Sequence, residues 1–195
     1  MGDVRFVLWR DQDRAYLGLL AVLAAVFTAV VLVFFVVFTA VRVEGDSMEP
    51  VLLPDDRVLV TRAYVDPRRG DIVAADMQTE TGQEGVIKRV VALPGDEVVV
   101  EGDLIYVNGA LSDAAPEAIV VARGPRSRPM IVPPDHVYLV GDNRPISYDS
   151  RFAGPVPLQA VTGRVVAVFS PATRWRLIPP GAPDAPAPAD PTTRR

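Results

Sequence analysis

Cysteine is absent from this 195-residue chain, histidine occurs once, at His136, and lysine once, at Lys88; the other nineteen basic residues are arginine. Without cysteine there is nothing to oxidise, and no redox chemistry is implied. No His/Cys pair stands at ligand spacing, so no metal site is visible. A glycine-rich phosphate loop is missing as well: Gly141-Asp142-Asn143 does not precede a helical pattern, and Gly95-Asp96 after Leu93-Pro94 reads as a turn between strands. No cofactor is expected. The formal net charge of -4, with arginines scattered along the chain, gives no support to nucleic-acid binding.

The chain does have one long uncharged apolar run, Ala15–Val41. It exceeds the roughly 20 residues that cross a bilayer core of about 30 Å. Its length, and the bulky Val, Leu and Phe that continue almost to its end, distinguish it from a cleaved signal peptide, so it reads as a retained anchor. Arg5, Arg10 and Arg14 precede it and Arg42 follows, a slight bias that places the N-terminus inside and the remainder outside the cytoplasm. The expected divisions are a cytoplasmic segment 1–14, a transmembrane anchor 15–41, an extracytoplasmic domain 42–178 and a tail 179–195. That tail, Pro-Gly-Ala-Pro-Asp-Ala-Pro-Ala-Pro in its centre, has nothing large to bury and reads as disordered or extended.

Beyond the anchor, β-branched runs alternate with Gly, Pro and Asp: Arg57–Thr61, Asp71–Ala74, Gly85–Val91, Glu97–Val100, Leu104–Val107, His136–Val140 and Gly163–Phe169. These predict strands. Glu101-Gly102-Asp103 has hairpin length, and Asn108-Gly109 offers a second tight turn. No stretch after Val41 has a convincing helical apolar period, so the expected fold is mostly β: one antiparallel β domain following a single N-terminal transmembrane helix. Length alone argues against a second domain.

Ser47, in Gly45-Asp46-Ser47-Met48-Glu49-Pro50, lies six residues past the apolar run. A serine hydroxyl is a poor nucleophile until a neighbouring base takes its proton. His136, at the start of a strand, is one possible base. Lys88, in Val86-Ile87-Lys88-Arg89-Val90, is the other, provided that burial on the face it shares with Val86 and Val90 lowers its pKa. Arginine cannot serve in this way. The plain alternative is a lysine reaching from a sheet edge to water. A third cluster, Gly141 to Arg151, reads either as a polar loop braced by Asp149 and Arg151 or as the support of a working amine. In the second case Ser147 or Ser150 holds the amine without the raised pKa that a carboxylate would bring.

Four blocks in this order after an apolar segment resemble the bacterial type I signal peptidases, membrane-bound serine proteases that remove signal peptides from exported preproteins. They are Gly45-Asp46-Ser47-Met48-Glu49-Pro50 with Leu52-Leu53, Arg69-Gly70-Asp71-Ile72-Val73, Ile87 to Asp96, and Gly141-Asp142-Asn143-Arg144 with Ser147 to Arg151. The resemblance implies an antiparallel domain of coiled sheets at the cell membrane, with Ser47 as nucleophile, Lys88 as general base and Ser147 orienting the amine. Asp149, Arg151 and Asp142 would support that loop, and Met48, Leu52, Val86 and Ile87 would contact substrate. Its partners would be preprotein signal peptides and the lipid bilayer, with the oligomeric state left open. Gly45 stands where some members carry a serine whose hydroxyl helps hold the oxyanion, which leaves more of that task to the Ser47 N–H. Pro145 and Ile146 replace residues that are commonly polar. The rival readings are a self-cleaving repressor-type Ser/Lys peptidase, disfavoured by the anchor and the Gly141–Arg151 block, and a membrane-tethered β-rich binding module without catalysis.

Overall fold

A computed structural model describes residues 8–64, 66–79, 82–112, 118–120 and 124–181, with side chains from Arg14 onward. The chain divides into two compact units, residues 1–38 and 39–195. The first contains helix α1, Leu8–Val37. Its stretch Arg14–Val37 has a mean hydropathy of 3.1 and is, by length and composition, able to cross a membrane. The helix stops four residues before the apolar run does, because Phe38–Arg42 forms strand β1. Aromatic and β-branched residues such as Phe38, Thr39 and Val41 suit a pleated surface, and hydropathy alone does not separate them from the helix.

The second unit is mostly antiparallel β. Its strands are β2 (Arg57–Thr61), β3 (Ile72–Thr79), β4 (Gly82–Ala92), β5 (Glu97–Glu101), β6 (Leu104–Val107), β7 (Ala110–Leu111), β8 (Met130–Ile131), β9 (His136–Val140), β10 (Val156–Pro157), β11 (Val161–Ser170) and β12 (Arg176–Leu177). The larger sheet runs β1-β2-β11-β3-β4-β9-β10, with β12 on β11, and a four-stranded sheet runs β7-β6-β5-β8. Every strand expected from the sequence is present, several of them longer than the β-branched run that marked them. One short helix, α2 (Ser150–Ala153), was not expected; Asp149 caps it by accepting from the Arg151 N–H.

Among the described residues, three apolar clusters fill the domain. Val43, Met48, Leu52, Val58, Val60, Ile72 and Val165 anchor the first, around the loop after β1. Val91, Val98, Ile105 and Tyr138 join the two sheets in the second, and Val73, Met77, Val90 and Leu139 form the third. Consecutive residues Val90 and Val91 point into different clusters, as the two-residue period of a strand buried on both faces requires. β4 is therefore fixed in register. Val73 of β3 lies opposite Lys88, and β9 joins only from Arg89, which pairs with Val140. Lys88 is thus the last residue of β4 before the strand acquires its second neighbour.

Residues 179–181 are placed, Gly181 against Asp71, whereas residues 182–195 of the expected tail, like residues 1–7 of the expected cytoplasmic segment, lie outside the described residues.

Candidate active site

Ser47 is carried by a turn that cannot drift. Its neighbour Met48 is buried in the first cluster, as is Leu52, whose N–H donates to the Met48 carbonyl at 2.9 Å. On the other side Asn143 clamps the same turn, its N–H donating to Ser47 O at 3.0 Å and its Nδ2 to Asp46 O at 3.1 Å. Gly45, with φ +76°, makes the bend that leads into it.

Lys88 reaches this turn from β4. Its Nζ lies 2.7 Å from Ser47 Oγ, and the side chain is only 4% exposed. Burial lowers its pKa; the carboxylates of Asp149 and Asp142 oppose that and the Arg151 guanidinium assists it, with the net direction downward. The two carboxylates are themselves occupied by cations. Asp142 takes a two-pronged contact from Arg89, Nε to Oδ1 at 2.8 Å and Nη2 to Oδ2 at 2.6 Å. Asp149 accepts from Arg151 Nε at 2.8 Å and from the Gly141 N–H at 3.0 Å. Much of the negative charge near the amine is balanced locally, so the lowering by burial outweighs the opposing carboxylates. An amine without its proton can accept one from the serine hydroxyl.

Ser147 and Ser150 have different settings. Ser150 Oγ accepts from the Leu139 N–H at 2.9 Å and so serves the backbone. Ser147 Oγ is buried and has no hydrogen-bond partner among the described residues, Lys88 included. It still faces the site: a Cβ added to Gly141 would meet Ser147 Oγ and would lie 2.5 Å from Ser47 O. Arg151 holds the loop in shape, donating to the carbonyls of Arg144 at 2.7 Å and Ser147 at 3.1 Å. His136 is elsewhere. Its Nδ1 bonds the Pro134 carbonyl oxygen, and it stands four residues along β9 from Val140, roughly 13 Å at the usual rise of a strand.

A groove of about 690 Å³ opens from the serine, lined by residues of β1, β3 and β4 that include Val41, Val86 and Ile87, and by Met48 of the serine's own turn. Leu52 is not on its wall: at 0% exposure it belongs to the core beneath. No described residue accepts a hydrogen bond from the Ser47 N–H, which is the donor the sequence reading assigned to an oxyanion. Among the described residues no group of His, Cys, Asp or Glu is arranged to hold a metal. Sequence reasoning gave no role to Arg89, Gly141 or Asn143. Their signal was their place inside the quoted blocks, but clamping and close approach are properties of chain segments more than fifty residues apart.

Fold and site together define a mostly antiparallel β protein with an N-terminal apolar helix and a serine–lysine pair opening on a groove. The family profile described as "Signal peptidase, peptidase S26" matches residues 15–170. A probable signal peptidase I-2 from Synechocystis sp. is 36% identical over 147 residues, covering 70% of this chain and 65% of that relative's length. Signal peptidase I P from Bacillus subtilis subsp. natto is 32% identical over 185 residues, 87% of this chain and 98% of the relative. A crystal structure of a signal peptidase I from Enterococcus faecalis V583 aligns at 26% identity over 52% of this chain and 98% of its own, with a TM-score of 0.40. The chain belongs to the signal peptidase family, peptidase S26.

Proposed function

We propose that this member of the family is a serine endopeptidase that cuts signal peptides from exported preproteins, with Ser47 as nucleophile and Lys88 as general base. The observation that carries the reading is the 2.7 Å contact between a buried lysine amine and the serine hydroxyl at the head of the groove. Neutral Lys88 takes the Ser47 proton as Oγ bonds to the carbonyl carbon of the scissile peptide. The ammonium then returns that proton to the departing amine as the C–N bond breaks, leaving an acyl-enzyme. Water, deprotonated by the same amine, releases the acid and frees Ser47. The Ser47 N–H would donate to the developing oxyanion, and nothing lies within 4 Å of the place a Cβ at Gly45 would take. Ser147, close by but not bonded to the amine, is the hydroxyl that would accept a hydrogen bond when Lys88 is charged.

The helix Arg14–Val37 would span the bilayer once with the β domain on the extracytoplasmic side, so that a preprotein still held by its own apolar segment presents its cleavage site at high effective concentration. The test is cleavage of a substrate ending its signal peptide in Ala-x-Ala by the full chain in detergent. Ser47→Ala and Lys88→Ala should each abolish cutting while remaining folded by circular dichroism. Cutting by folded Ser47→Ala at the parent rate would reject the reading.

A further inference from the structure

The tail after β12 starts as a seated segment. Ile178 packs on the first core cluster, and its N–H donates to the Val166 carbonyl at 2.9 Å. Pro179-Pro180-Gly181 then reaches the turn before β3, where the Gly181 N–H donates to Asp71 Oδ1 at 2.8 Å. A side chain at position 181 has no room: an added Cβ would meet the Arg69 carbonyl oxygen and lie 2.7 Å from the Asp71 nitrogen. Asp71 is buried, and its other oxygen accepts from Tyr64 Oη at 2.7 Å and the Arg68 N–H at 2.9 Å. Removing Gly181 deprives a buried carboxylate of one of its three donors among the described residues.

That turn leads directly to the site. The Gly70 N–H donates to Val90 O at 2.8 Å and the Val90 N–H to Asp71 O at 2.8 Å, locking the turn to β4. The Gly70 carbonyl accepts from Arg89 Nη1 at 2.9 Å, the one guanidinium nitrogen that Asp142 leaves to other partners. Arg89 adjoins Lys88 in β4, and Asp142 precedes the Asn143 that clamps Ser47.

We propose that Pro179-Pro180-Gly181 is a positioning strap for the Ser47–Lys88 pair. It holds the Arg68–Asp71 turn, the turn fixes Arg89, and Arg89 sets Asp142 and Asn143 on the backbone of Ser47. The strap itself touches neither the groove nor the reacting atoms, as none of its residues lines the groove. The catalytic consequence rests on the peptidase reading above; the mechanical one does not.

Three altered chains test it: one ending after Gly181, one ending after Ile178, and full-length Gly181→Ala. The chain ending after Gly181 should match the parent. The other two should lose about tenfold in kcat, as small misplacements of reacting groups do. KM should stay within about twofold, because uniform substrate binding is untouched. Parent kcat in the chain ending after Ile178 would overturn the proposal, as would an equal loss in the chain ending after Gly181, which would shift the effect to the later tail. Amide hydrogen exchange at Asn143 is read on the same proteins. Faster exchange in the chain ending after Ile178 supports the strap even if no form cuts the peptide, and unchanged exchange there overturns it.

Discussion

Gly141→Ala is the most economical perturbation of the site, since it adds one methyl group and no charge. That carbon would lie 2.5 Å from the Ser47 carbonyl oxygen, inside the 3.0 Å that real Cβ contacts essentially never breach, and would also collide with Ser147 Oγ and Cβ. To regain ordinary van der Waals separation, the Ser47 backbone or the Gly141 strand end must move by roughly 1 Å. Neither can do so freely: Gly141 is tied through its N–H to Asp149, and Ser47 through its carbonyl to Asn143. Overpacking of this kind costs about 1–3 kcal/mol, or a fall in Tm of about 2–12 °C in a protein of this size. A shift of roughly 1 Å at the nucleophile costs about a hundredfold in kcat. The assay is single-turnover cleavage of an Ala-x-Ala substrate, alongside a thermal melt. A variant that melts as the parent does and cuts at its rate would refute the close-packed placement of Gly141, Ser47 and Ser147.

Further outcomes follow from the buried charges. Arg89→Met leaves the fully buried Asp142 unpaired and should destabilise the domain by about 3–5 kcal/mol in urea, whereas replacing both partners with apolar residues should cost markedly less. Ser150→Ala removes the acceptor of a buried Leu139 N–H and should cost about 1–3 kcal/mol, without changing the pH dependence of cutting. Lys88→Met should stabilise the fold near neutral pH. With its folded-state pKa lowered, Lys88 binds fewer protons in the folded chain than in the unfolded one, so parent stability rises with pH between that lowered value and the ordinary 10.5. The advantage of Lys88→Met, read from urea midpoints, should fade as pH approaches that upper limit.

Local pattern revealed the strands because their β-branched runs are bounded by Gly, Pro and Asp, and every run expected to be a strand is one. Lys88 stood out because it is the only lysine and sits in an apolar run, and its contact with Ser47 spans 41 residues of sequence. The end of α1 was not legible: Phe38–Val41 is as apolar as the helix, and only pairing with β2 turns it into strand. Residue chemistry left Ser147 and Ser150 equivalent, and only the resemblance chose Ser147; in the structure burial against Gly141 separates that serine, and the Leu139 N–H claims the other. The resemblance implied that Leu52 contacts substrate, yet the turn rotates it into the core. The seating of Gly181 was not legible in the tail, because a glycine held by a single backbone hydrogen bond leaves no compositional trace.

The pH dependence of kcat/KM for the full chain in detergent, compared with Lys88→Met and His136→Ala, tests the central claim most directly. With the amine as base, activity rises with pH as Lys88 loses its proton, through a midpoint below the ordinary lysine value of 10.5. His136→Ala should keep that curve, and Lys88→Met should abolish it. Parent-rate cutting by Lys88→Met, or loss of the rising limb in His136→Ala alone, would contradict the account.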